Sequence, residues 1–274
     1  MRKHWYLCLF LVILLFCTSC KKQPSTSGTA TPEKEEEQVQ EQEGTEEQEE
    51  TQGQEEQDVT IEEKHSEFYM EEYSVEEVLQ YFNEIVLATE YTTGTGNAAL
   101  IQRWDTAIRY RIVGACTEKD IEIIKGFFNE LNKVEGFPGA KEVSEKEIPN
   151  LYIYFEGREA FDNRFMEFLN NEYADGAVRY WYDTDMNNIY EATIGYCTDM
   201  SEEVRHSVLL EELVNCLGIG DTTLRDDSIV YQYGSDITEL SEMDWLIIKL
   251  LHHPKIRCGM DSTQCEEIIR ELYY

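Results

Sequence analysis

The chain has 274 residues, with 56 Asp and Glu against 23 Lys and Arg and a formal net charge of -33. So acidic a surface repels phosphate backbones, which excludes nucleic-acid binding. A hydrophobic share of 42%, with 17 Tyr and 11 Phe, is enough for a packed core, so disorder along the whole chain is excluded as well.

The first twenty residues read as a signal peptide. Arg2, Lys3 and His4 are basic, and the run from Trp5 to Phe16 is almost wholly apolar but too short to span a bilayer comfortably. Cys17-Thr18-Ser19-Cys20 follows, before Lys21-Lys22, and resembles a bacterial lipobox with Cys17 where Leu is preferred. The resemblance implies lipidation at Cys20 and a protein anchored to the cell membrane, facing the extracellular side; plain cleavage nearby is the alternative. Residues 21–66 form a low-complexity linker. Between Glu33 and Glu63 stand 15 acidic residues, one Lys and no aromatic, a net of -14. Such a stretch buries too little apolar surface to offset its chain entropy, and like charges extend it, so a solvated spacer is expected.

The folded domain is expected over 67–274 in one piece. Ser74 with Glu77 makes a capping box, and Val75, Val78, Leu79, Phe82, Ile85 and Val86 trace one helical face. Thr92–Asn97 reads as a loop, and Ala107–Val113 alternates as a strand. Thr117 and Asp120 cap a second helix with Ile121, Ile124, Phe127, Phe128, Leu131 and Val134 on its apolar stripe, broken at Gly136 to Gly139. Leu151–Phe155 is a strand, and Phe161, Phe165, Phe168 and Leu169 mark the helix after it. Val178–Tyr182 and Ile189–Tyr196 are further strands. A helix opens at Asp199 or Ser201 and stops at Gly218; others run from Ser241 to Leu251, ended by Pro254, and from Thr263 to Leu272. The pattern predicts an α+β or α/β single domain with a mixed sheet.

The stretch Leu210-Glu211-Glu212-Leu213-Val214-Asn215-Cys216-Leu217-Gly218-Ile219-Gly220-Asp221 resembles the zincin metallopeptidase helix and turn, H-E-x-x-H-x-x-G-x-x-H. In that family two His bind zinc, the intervening Glu activates the metal-bound water, and the Gly lets the chain turn back with a third ligand. The resemblance implies Glu212 as general base, Gly218 at the turn, and Glu211, Asn215 and Asp221 at the ligand positions. Asp227-Ser228-Ile229-Val230-Tyr231 resembles the metzincin Ser-Ile-Met-x-Tyr turn, with Val230 where Met is usual, and Leu240-Ser241-Glu242-Met243-Asp244 resembles the Leu-Ser-x-x-Asp start of the next helix. The whole domain is more closely similar to a bacterial exported family of unknown function with a zincin-like plan, whose helix reads E-E-x-x-Q-x-L-G. Shared blocks include Tyr81-Phe82-Asn83-Glu84-Ile85, Arg103-Trp104, Leu131-Asn132, Glu211-Glu212 with Leu217-Gly218, and His253-Pro254 with Arg257. The fold class expected is therefore α+β and zincin-like.

The donors at those positions change the chemistry. Zinc favours imidazole or thiolate, whereas Glu, Asn and Asp form a hard oxygen set suited to another divalent metal. The domain holds only His206, His252 and His253, none at the required spacing, so a three-His zinc site on this pattern is excluded. Glu212 is either a base or a carboxylate paired within the fold, with Arg205 on the same helix face as a partner. Cys216 reads as a buried thiol. His252 and His253 stand at a helix end, where the dipole stabilises a cationic ring. Trp104, Trp181 and Trp245 are either core residues or the lining of a sugar or peptide groove. Cys258 and Cys265 are candidates for a disulfide. Two functions follow: a surface lipoprotein with a degenerate, non-catalytic metallopeptidase-like domain that binds a cell-envelope or protein partner, or an active metal-dependent peptidase using Glu212.

Overall fold

The computed structural model describes residues 13–14, 66–87, 99–165, 174–234 and 236–274. Cys20, nearly all of the signal and linker segments, the Thr92–Asn97 loop, Phe168 and Leu169 lie outside the described residues.

The strands are β1 (Ile13–Leu14), β2 (Arg103–Trp104), β3 (Ile108–Gly114), β4 (Ala140–Glu142), β5 (Leu151–Glu156), β6 (Gly176–Tyr182) and β7 (Asn188–Cys197). They form one sheet in the order β1-β6-β7-β5-β3-β4, with β2 paired to the start of β7. The pairs β3–β4, β3–β5, β5–β7 and β2–β7 are parallel. The strand β6 runs antiparallel to β7, and β1 antiparallel to β6. The result is a mixed α/β single domain with a mainly parallel sheet. The alternating burial of Leu151–Glu156 explains why a short run of large residues forms a central strand: Leu151, Ile153 and Phe155 go to the core while Tyr152 and Tyr154 point the other way.

The helices are α1 (Val75–Phe82), α2 (Glu118–Leu131), α3 (Arg158–Phe165), α4 (Glu202–Asn215), α5 (Glu242–His252) and α6 (Ser262–Tyr273). Capping boxes at Ser74–Glu77, Thr117–Asp120, Ser241–Asp244 and Asp261–Gln264 satisfy N-terminal N–H groups on α1, α2, α5 and α6. Helix α1 runs on into a π-helical turn, Asn83–Leu87. The apolar faces of α1, α2, α4, α5 and α6 share one core with the inner side of the sheet. A smaller core around Phe161 and Phe165 of α3 lies on the other side.

Several expectations change. Trp104 lines no groove: it is 1% exposed, and its Nε1–H donates to the carbonyl of Cys216 at 2.7 Å, meeting one of the orphan acceptors at the end of α4. Cys258 and Cys265 are free thiols, because Cys258 directs its sulfur to the Arg103 carbonyl while Cys265 is buried in the main core. His252 is wholly buried rather than a charged ring at the helix end. It packs edge-on against Phe137 at 5.0 Å, and burial with the nearby Arg103 charge pulls its pKa down to about 3.

Candidate functional site

Helix α4 follows directly from β7 and lies against β6 and β7. Its sequence packs apolar residues nearly all round the last two turns: Leu209, Leu213, Val214, Cys216 and Leu217 are all buried. The polar residues of those turns are therefore buried as well, with Glu211 5% exposed, Glu212 1% and Asn215 1%. At Gly176 on β6 a side chain would lie 2.6 Å from Glu212 Oε1 and 2.5 Å from Val208 Cγ1. Glycine is what lets the Glu212 carboxylate lie flat against the strand.

The helix ends where the motif expects. Gly218 has φ +94°, and a Cβ there would sit 2.1 Å from the Gln102 carbonyl oxygen. Both the left-handed backbone and the contact with the chain before β2 demand glycine. The chain then turns back, and Asn215 Nδ2 donates to Asp221 Oδ1 at 3.2 Å. Two of the three expected ligand residues thus meet. Asn215 Oδ1 is buried without a hydrogen-bond partner, while none of Glu211, Glu212 and Asp221 is without a partner in the fold. Arg205 donates to the fully buried Asp120 of α2 at 2.9 Å, so α4 is cross-linked to α2 through the residue expected beside Glu212. Cys216 is buried, as expected, and burial beside the Glu212 charge raises its pKa well above that of a free thiol.

The loop carrying Asp221 is held from two sides. Glu84, on the π-helical turn, accepts from Thr222 Oγ1 at 2.7 Å and from the Thr223 N–H at 2.9 Å, and Gly220 N–H donates to the Ile85 carbonyl. Sequence reasoning placed Glu84 in a shared block but gave it no role, because its partner Thr222 lies 138 positions on. On the other side, Thr222 bridges to Tyr231. Beneath lies a buried polar knot. Asp244 Oδ1 accepts from Ser228 Oγ at 2.7 Å and lies 2.9 Å from the Tyr81 hydroxyl; Asp244 Oδ2 accepts from the N–H groups of Ile229 and Ser241. One carboxylate thus both caps α5 and fastens the turn. Burial and the Asp244 charge push the Tyr81 pKa far up, so it stays a neutral donor.

A zinc ion does not fit these side chains. Imidazole is lacking, the amide of Asn215 turns its nitrogen toward Asp221, and among the described residues no group of three or more His, Cys, Asp and Glu converges as a metal site. Elsewhere, a cavity of about 340 Å³ is lined by Phe68, Lys133, Trp245, Lys249 and His253, which puts Trp245, unlike the buried Trp104, at an open surface.

The class that the fold defines is a mixed α/β single domain, with α4 packed against β6 and β7 of a mainly parallel sheet. The chain belongs to a family described as a protein of unknown function (DUF2927), whose model matches residues 75–271. No curated protein matches the chain.

Proposed function

We propose that this chain is a membrane-anchored surface lipoprotein whose zincin-like domain is non-catalytic and binds a cell-envelope or protein partner. The mixed sheet, the acidic helix and the Ser228–Asp244 knot support the zincin-like reading. The lipobox resemblance at Cys20 supports the anchor. The single observation that carries the non-catalytic reading is the burial of Glu212. A general base must reach the proton it removes, and a carboxylate 1% exposed and pressed on the backbone of β6 at Gly176 does not face substrate. Its role is to fill and satisfy the seam between α4 and β6.

One observation favours a second reading, an oxygen-ligand divalent metal with Glu212 as base. Asn215 Oδ1 is a buried acceptor without a hydrogen-bond partner beside Asp221, and such an atom suits a hard cation. The two readings separate on a peptide mixture incubated with the full chain and with Glu212→Gln, read by mass spectrometry. The first reading expects no cleavage by either protein. Cleavage by the wild type that is lost in Glu212→Gln, with folding intact by circular dichroism, would establish the second.

A further inference from the structure

Arg103 of β2 is 7% exposed, and its charge is answered only in part. Its Nη1–H donates to the Leu251 carbonyl at the end of α5, while Nε is buried without a hydrogen-bond partner. Among the described residues no carboxylate pairs with it. A helix-end dipole offsets only part of what it costs to take a cation out of water, and buried charges are as a rule paired. The guanidinium is not sealed in, for Arg103 lines a cavity of about 490 Å³. A second wall is the turn between α5 and α6. The N–H of Ile101 donates to the Met260 carbonyl at 2.8 Å and that of Gly259 to the Ile101 carbonyl at 2.9 Å, which fastens this turn beside β2. From it the exposed Arg257 lines the same cavity, also without a carboxylate partner among the described residues. The turn between β6 and β7 lines a further side, fixed by Asp183 Oδ1, which accepts from the N–H groups of Asp185 and Met186 at 2.9 Å each. Asp105 and Asp185 line the cavity too; both are exposed, and neither forms an ion pair with an arginine.

We propose that this cavity binds a ligand through a single carboxylate, held by the guanidinium groups of Arg103 and Arg257. A guanidinium is a planar fork that meets a carboxylate with two N–H donors. An anion that reaches Arg103 escapes most of the competition from water that weakens exposed ion pairs. Asp105 and Asp185 set the limit on charge, since two carboxylates on the same walls repel a dianion such as phosphate more than a monoanion. A cavity of this size is in the range of small-molecule sites and takes more than the carboxylate alone; Met186 and Pro254 on its walls offer apolar surface to a short chain. None of Glu211, Glu212, Asn215 and Asp221 lines it, so this site goes beyond the reading above and is tested separately from it.

The test is calorimetric titration of the full chain with N-acetyldialanine, with its C-terminal amide, acetate and inorganic phosphate as comparison probes. Saturable binding of N-acetyldialanine is expected, weakened about tenfold or more by amidation and roughly tenfold by Arg257→Gln, the size of effect that losing one charge-assisted pair produces. Arg103→Met removes the buried guanidinium and is expected to abolish binding. Both variants are checked by their melting curves, and the exposed Arg257 carries the test alone should Arg103→Met fail to fold. Acetate bound as tightly as the dipeptide marks a small free acid as the ligand, and a tighter dipeptide marks the end of a peptide chain; either result supports the site. No saturable binding of either carboxylate, phosphate bound at least as tightly as the dipeptide, or dipeptide binding unchanged in Arg257→Gln overturns the proposal.

Discussion

Replacing Asp244 by alanine is expected to lower the melting temperature of the domain by about 10 °C. Asp244 is 3% exposed and serves Ser228, Tyr81 and the backbone N–H groups of Ile229 and Ser241. Alanine orphans the Ser228 hydroxyl and both backbone N–H groups at once and leaves the Tyr81 hydroxyl only Ser228 Oγ, at 2.7 Å. Breaking a buried charged network typically costs about 3–5 kcal/mol. For a domain of this size each kcal/mol moves the midpoint by roughly 2–4 °C. Asp244→Asn keeps one carbonyl-type acceptor but turns an amide N–H toward two N–H donors, so its loss should be smaller yet clear. Thermal melts by circular dichroism decide the matter; a shift of only a degree or two in Asp244→Ala would mean that the knot does not hold the turn.

The second large effect is with pH. His252 is neutral in the fold, with a pKa lowered from 6.5 to about 3 by burial, reinforced by the Arg103 charge. The unfolded chain binds a proton below pH 6.5 that the folded chain refuses until about pH 3. The unfolded state therefore holds more protons in that window, and stability falls as pH drops through it. The full contribution is present above pH 6.5, and its loss by pH 3 amounts to roughly 5 kcal/mol, from 1.36 kcal/mol for each unit of displacement. His252→Leu removes the titrating group and suits the contact with Phe137, so its denaturation midpoint should fall much less between pH 6.5 and pH 4 than that of the wild type. Parallel acid limbs in the two proteins would show that His252 is not the group responsible.

Much of the fold was legible because local chemistry and burial agreed. The capping boxes at Ser74, Thr117 and Ser241, the apolar stripes that follow them, and the alternation in Leu151–Phe155 each need only neighbours in sequence. The two short strands Arg103–Trp104 and Ala140–Glu142 were not legible, since two or three residues carry no period and their pairing is decided by distant partners. The turn at Gly218 was predicted, and with it the return of Asp221 to Asn215. The depth of Glu212 was not, because it depends on Gly176, 36 positions earlier, giving room on β6. Arg205 was offered as one possible partner of Glu212, and its ion pair with Asp120 on α2 was not legible: helical spacing identifies residues on one face but not what a neighbouring helix brings to them. The histidine pair was misread for a related reason. A helix end suggests a dipole acting on a charged ring, but solvent exclusion at His252 outweighs it by several pKa units.

The central claim is that helix α4 holds Glu211 and Glu212 as buried structural groups. Elemental analysis of the full chain, purified without chelators, tests it most directly. The account predicts no divalent metal in one-to-one ratio with protein, and unchanged metal content in Asn215→Ala and Asp221→Ala. One equivalent of a divalent ion in the wild type, lost in both variants, would contradict it.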